Sequence, residues 1–310
     1  MLKSNSPKEY EGTPRPTGKW KEPFLKSINS IEANNIPEVQ EALEKFGRED
    51  ANLNHFDTRK VADIDGYEVS RYIGLMHVVA SAHGDGTEVL QLLYDYGVNP
   101  YQISYTIRHK WTVVDMPAPV VCAAKFGKLN RLKWFQEKGV KLYAKFNDTG
   151  TGKVNLLDIA AKYGYKDVFT FLFNEGGAGS YIREGIRKYP LKKAIDHSLD
   201  MVKFMVDFAR EKNIDLESYA PETLEESLWI VRNEEIEKSP EKFSMIEYLV
   251  DQFKASSEAL IKYYGEIGFH KKETLDALKA CHLKFHPDAD FDAKELKTLG
   301  EDGTTIDQIG

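Results

Sequence analysis

The stretch LLDIAAKYGYKDVFTFLFNEGGA, Leu156–Ala178, holds two short apolar segments separated by one glycine and closed by more. Apolar residues recur at helical spacing in each half, with charged and polar residues between them, which predicts two short amphipathic helices joined by a tight turn. Neither helix is long enough to bury its own apolar face. The chain supplies the cover, because the pattern recurs. PVVCAAKFGKLNRLKWFQEKGV (Pro119–Val140) has the same order of apolar pair, Ala-Ala, two residues, glycine, apolar helix and closing glycine. In both copies the turn glycine precedes the closing one by twelve residues, Gly127 to Gly139 and Gly164 to Gly176. GLMHVVASAHGDGTEVLQLLYDYGVNP (Gly74–Pro100) is a third copy with a longer turn, and Phe24–Gly47 a fourth with Asn35 in the turn-glycine slot. Tyr189–Ala209 is a looser fifth copy; Thr223–Phe253 is a sixth with an insertion between its helices. One hairpin cannot bury both faces, but stacked hairpins can.

Each slot has a physical reason. Paired alanines, Ala123-Ala124 and Ala160-Ala161, let helices approach closely while keeping helix propensity. The turn glycine ends the first helix with a positive φ, and the closing glycine caps the second. The second helices offer a core through Leu132, Trp134 and Phe135, and through Val168, Phe169, Phe171 and Leu172.

These residues resemble the ankyrin-repeat family. Its Thr-Pro-Leu-His-x-Ala-Ala pattern is matched by Leu75-Met76-His77-Val78-Val79-Ala80, by Pro119-Val120-Val121-Cys122-Ala123-Ala124 and by Leu156-Leu157-Asp158-Ile159-Ala160-Ala161, while Tyr189-Pro190-Leu191 matches its start. Only His77 keeps the family histidine; Val121, Asp158 and Lys192 replace it. The resemblance covers Phe24 to Phe253 and implies an all-α solenoid of about six repeats. The family period is about 33 residues. Closing glycines at 47, 97, 139 and 176 are spaced by 50, 42 and 37 instead. The excess falls in Arg48–Ile73, Val98–Met116 and Val140–Val154, the finger positions between hairpins.

Long connections in a compact array carry function or are unstructured. The second finger holds Tyr101, Tyr105, Arg108, His109 and Trp111, the third Tyr143, Lys145 and Phe146. Aromatic residues and arginine anchor protein interfaces; they also extend a core over repeat ends, and sequence does not separate the two. In the family the two residues after Ala-Ala face a concave groove. The resemblance therefore implies a groove lined by Lys125-Phe126, Lys162-Tyr163 and Asp196-His197, suited to an acidic peptide with apolar anchors. Ordinary solvated helix ends would carry the same residues.

Composition narrows the function classes. The chain has 310 residues, 42% hydrophobic, and a net charge of −7 with both signs interspersed, so no dominant basic face for nucleic acid is expected. Two distant cysteines, Cys122 and Cys281, imply no disulfide framework and a reducing compartment. No apolar run reaches the roughly 20 residues of a membrane helix, and the N-terminus has no signal-peptide core; a cytoplasmic monomer without membrane insertion is expected. Chemistry is sparse. TGTGKVN (Thr149–Asn155) lacks the leading glycine and the Ser or Thr of a phosphate loop, since Asn147 and Val154 stand there, and reads as a hairpin turn. Asn147-Asp148-Thr149 fits a glycosylation sequon, which an intracellular chain does not use. Cys122 sits in an apolar slot where an inert thiol is expected, and His77 in a structural slot. Cys281, His282 and His286 lack a fourth ligand, so no metal or cofactor is expected.

Tyr263–Asp290 is not a repeat. Its Leu283-Lys284-Phe285-His286-Pro287-Asp288 resembles the Leu-Lys-Tyr-His-Pro-Asp of J-domain co-chaperones, whose loop stimulates a chaperone's ATP hydrolysis. The following residues are acidic where that family is basic, and the preceding helix link is too short; a C-terminal cap hiding the last hairpin is the favoured expectation. The organisation expected is a disordered tail over 1–22, repeats over 23–253, a helical cap over 254–299 and a flexible tail over 300–310. The function expected is non-enzymatic protein recognition, as a secreted effector in a host cell if the source is bacterial. The alternatives are a co-chaperone adaptor and an enzyme with its site in an irregular finger such as Arg48–Ile73.

Overall fold

The computed structural model describes residues 35–46, 56–62, 68–82, 84–101, 104–108, 111–148, 152–216, 219, 240–253, 276, 279–280, 282–284, 287–288, 298–299 and 305–306. The expected N-terminal tail and the first helices of the fourth and sixth copies lie outside them. So do Cys281, His286 and most of the expected cap. Helices dominate the described residues. The chain forms two compact units, residues 1–160 with 167–184, and residues 161–166 with 185–310.

In the first unit, α1 (Ile36–Phe46) precedes a helical hairpin of α2 (Leu75–Ser81) and α3 (Thr87–Asp95), and then a second of α4 (Pro119–Lys125) and α5 (Leu129–Glu137). The helices of each hairpin pack on each other, and the hairpins stack like on like: α2 on α4, α3 on α5, and α1 on α3. The paired alanines are where this stacking needs them, Ala123 and Ala124 both fully buried. Leu132 and Phe135 are fully buried and Trp134 nearly so. The Trp134 indole donates to Gln91 Oε1 at 3.1 Å and meets the Tyr94 ring edge-on at 5.9 Å, tying α5 to α3. Lys138 Nζ lies over both rings, 5.0 Å from Tyr94 and 5.6 Å from Trp134.

The closing turns share one hydrogen-bond pattern. Gly97 has φ 87° and Gly139 φ 85°, and the amides after them reach back to Leu93 O and Phe135 O. A left-handed residue there satisfies the last carbonyls of the helix. The Leu156–Ala178 copy closes differently from expectation. Gly177, not Gly176, takes the positive φ of 83°, and it opens a further short helix, α8 (Ala178–Arg183), that the repeat pattern does not contain. Its partner is Tyr143, whose ring occupies the space a side chain at Gly177 would need. Between the second hairpin and α8 come α6 (Leu156–Tyr163) and α7 (Lys166–Asn174). Asn155 caps α6, accepting from the Asp158 amide at 2.8 Å. Val168, Phe169, Phe171 and Leu172 of α7 are buried, as their spacing requires.

The long connections are β-ribbons. β1 (Phe56–Ala62) pairs with β2 (Glu68–Ile73), and β3 (Ser104–Arg108) with β4 (Trp111–Met116); β2 also pairs with β3, so two successive fingers form one antiparallel sheet in the order β1-β2-β3-β4. The third finger is a separate ribbon of β5 (Phe146–Asp148) and β6 (Gly152–Val154); residues 149–151 of TGTGKVN lie outside the described residues.

In the second unit the first helix of the fifth copy shrinks to one turn, α9 (Leu191–Ala194). It ends because the His197 and Ser198 amides fold back onto Ala194 O, freeing Ser198 to cap α10 (Leu199–Glu211) through the Met201 amide. Asn213, φ 55°, takes the closing-glycine role, and the next amide returns to Ala209 O. α9 packs on α10, and α10 on α11 (Pro240–Phe253). Tyr189 is buried, and its hydroxyl donates to Met205 O at 2.8 Å, while burial pushes its ionisation upward. Tyr189→Phe removes that bond, while the Met205 carbonyl keeps its place in the helical ladder. It is expected to lower the unfolding free energy by about 1 kcal/mol, measured as a lower urea midpoint at unchanged m. Near the C-terminus, β7 (Thr298–Leu299) pairs with β8 (Thr305–Ile306).

Candidate functional site

In the second unit, the expected groove residues are brought together. Lys162 and Tyr163 end α6, and Asp196 and His197 follow α9. Lys162 Nζ is 3.5 Å from Asp196 Oδ2, with both groups partly solvated. The pair is weak at such exposure, so a partner's carboxylate can compete for the lysine. The His197 imidazole lies against Gly164, whose φ of 76° makes the turn between α6 and α7. Tyr163 is 40% exposed, its ring parallel to Tyr165 at a centroid distance of 6.4 Å. Lys166 pairs with Asp200 at 2.6 Å. That hydrogen bond and charge hold the Asp200 carboxyl below its ordinary value. The pair's contribution is therefore present at neutral pH and is lost as acid protonates Asp200.

In the first unit, Lys125 ends α4 and Phe126 follows it, 53% exposed. Lys125 and Lys162 both fall in the last turn of a helix, where a cation is favoured by the helix dipole. That accounts for the lysines without a ligand. It does not account for the aromatics beside them, which leave apolar area in water.

The finger residues divide. Tyr101 is 45% exposed, yet its hydroxyl donates to Gly139 O at 2.9 Å, and burial of the phenol raises its ionisation. It closes the end of α5. Tyr143 stacks on Tyr181 at 4.9 Å, and Phe146 is half-buried in β5 opposite Val154. Tyr101 and Tyr143 thus have partners inside the molecule. Tyr105, Arg108 and Trp111 are strand residues, with Tyr105 opposite Tyr72 and Arg108 opposite Trp111; His109 lies outside the described residues.

One cation escaped the reading by pattern. Arg131 is fully buried, and its guanidinium donates to Asp85 O at 2.6 Å, Ala82 O at 2.9 Å and Gly84 O at 2.9 Å. Burial lowers its ionisation and Asp85 opposes that. It ties α5 to the turn between α2 and α3. The signal was available: Arg131 stands four residues after Gly127, in the slot that Val168 fills after Gly164.

Cys122 is buried in α4, with Pro117 O as its sulfur's acceptor; His77 and His282 are buried. Among the described residues no three His, Cys, Asp or Glu are placed to hold a metal ion, and no helix is long and apolar enough to cross a membrane. Pro287 and Asp288 form an exposed turn. No model of a known protein family matches the chain, and no curated protein is significantly similar to it.

Proposed function

We propose that this chain is a non-catalytic protein-recognition scaffold of ankyrin-type helical hairpins, acting as a monomer in a reducing cytosol. The observation that carries the reading is the equivalent placement of Phe126 and Tyr163. Each follows a lysine at the end of a hairpin's first helix, and each leaves much of its ring in water, at 53% and 40% exposure. Burying such rings against a partner is the ordinary source of interface energy. A basic residue beside each aromatic favours a partner with acidic and apolar side chains. If the source is a bacterium, the same scaffold serves a secreted effector inside a host cell.

The test is an affinity capture from cytosol with three chains: wild type, Phe126→Ala and Tyr163→Ala. A protein held by wild type and depleted at least tenfold by either variant, at unchanged unfolding midpoint, is expected; about 1.4 kcal/mol of lost contact suffices for that. An identical partner list from all three chains would sink the reading.

A further inference from the structure

Tyr94 of α3 leaves 40% of its side chain in water. Its ring meets Trp134 of α5 at an interplanar angle of 85° and a centroid distance of 5.9 Å, so the two rings form the walls of a corner. The ammonium of Lys138 stands in that corner, 5.0 Å from the Tyr94 centroid and 5.6 Å from that of Trp134. Among the described residues, every other cation over an aromatic side chain meets a single ring, as Lys133 does on Phe171 and Lys166 on Phe204.

The corner is oriented without the lysine. The Trp134 indole donates to Gln91 Oε1 at 3.1 Å, and the Gln91 amide donates to Asp95 Oδ1 at 2.7 Å, so side chains of α3 fix the ring. Lys138 is held more loosely. It is half-buried, and among the described residues its side chain makes no ion pair and no hydrogen bond. A lysine ammonium is compact and strongly hydrated, and gives up water to lie on a ring. A quaternary ammonium has no N–H to hydrate and lays methyl groups on the ring faces, so it gains more from the same corner. Trp134 is only 6% exposed. A swing of Lys138 therefore uncovers little more than the space of its own side chain, room for one small headgroup and not for an extended segment. Asp95 and Glu137, both exposed, adjoin Tyr94 and Lys138 in the chain and favour a plain cation over a phosphate-bearing ligand.

We propose that the Tyr94–Trp134 corner binds a small quaternary ammonium compound of the choline class, and that Lys138 is its built-in competitor. The lysine swings into solvent as the ligand's methyl groups take its place on the two rings. The site uses none of the residues that carry the recognition reading and stands apart from it.

The experiment titrates the full chain with choline and with its uncharged tert-butyl analogue, following heat and the Trp134 indole N–H resonance. Wild type is expected to bind choline saturably and the analogue about tenfold more weakly, because only the charge distinguishes them. Lys138→Ala empties the corner. If the lysine holds it about 80–90% of the time, its removal lowers the apparent Kd for choline about five- to tenfold. Tyr94→Ala removes one wall at a partly exposed position, and is expected to weaken binding about tenfold at an unchanged unfolding midpoint. Equal binding of the analogue overturns the proposal. So does a Lys138→Ala chain that binds choline no more tightly than wild type, a Tyr94→Ala chain that binds it normally, or no saturable binding by any of the three. A trimethyllysine peptide or phosphatidylcholine vesicles held about tenfold more tightly than choline would give the corner to a protein or a membrane, and overturn the small-ligand assignment. The Phe126 and Tyr163 captures read other side chains, so failure here and failure of the recognition reading are told apart.

Discussion

Arg131→Met is expected to destabilise the first unit by about 3 kcal/mol. The wild-type guanidinium satisfies three backbone carbonyls, those of Ala82, Gly84 and Asp85, from a fully buried side chain. Burying a cation is itself costly, and methionine removes that cost. The carbonyl of buried Ala82 stays behind without that donor, however, which costs about 1–3 kcal/mol, while those of the exposed Gly84 and Asp85 turn to water; the lost acceptor and the untied turn together outweigh the relief. Arg131→Lys discriminates the mechanism. A lysine keeps the charge but cannot span the fork, so it is expected to be no more stable than the methionine variant. Gly86 belongs to the same device: its φ is 65°, and a Cβ there would sit 2.8 Å from the guanidinium. The check is urea unfolding of the three chains. An Arg131→Met loss under about 1 kcal/mol would show the turn satisfied by other means.

Phe135→Ala and Phe126→Ala are expected to part company. Phe135 is fully buried in the hairpin stack, edge-on to Trp134 at 5.2 Å. Truncating it leaves a cavity and is expected to cost about 3–5 kcal/mol. Phe126 lies nine residues earlier and is 53% exposed; its truncation is expected to change stability by less than about 0.5 kcal/mol. Thermal or urea unfolding separates them. If Phe126→Ala destabilised as much as Phe135→Ala, its ring would be packing and the recognition reading would lose its chief support.

The hairpins were legible in the sequence because their signals are local. A 3.6-residue period placed Leu132, Phe135, Val168, Phe169 and Leu172 inside, and glycine spacing placed the turns at Gly97, Gly127, Gly139 and Gly164. Adjacent glycines at 176 and 177 offer the same freedom, so the pattern alone did not choose Gly177. Asn213 does the same job as those glycines, but asparagine is a weaker signal for a left-handed residue. The ribbons were harder to read. SYTIR and WTVVDM carry the β-branched and aromatic residues of strands, yet the pairing of Ser104–Arg108 with Glu68–Ile73 reaches across a whole hairpin. The partners of Tyr101 and Tyr143 are likewise 38 residues away in each case, at Gly139 and Tyr181. Contacts of that range leave no periodicity in the chain. For the candidate site, aligning equivalent repeat slots placed Lys162 and Asp196 along one groove, whereas their 3.5 Å contact was not read from the sequence.

The most direct test of the recognition account is site-specific photocrosslinking in living cells. A photoreactive phenylalanine analogue would replace Phe126 in one chain and the exposed Glu137 of α5 in another. The account predicts a discrete protein adduct from position 126 and none from position 137. No adduct from either position, or the same adducts from both, would contradict it.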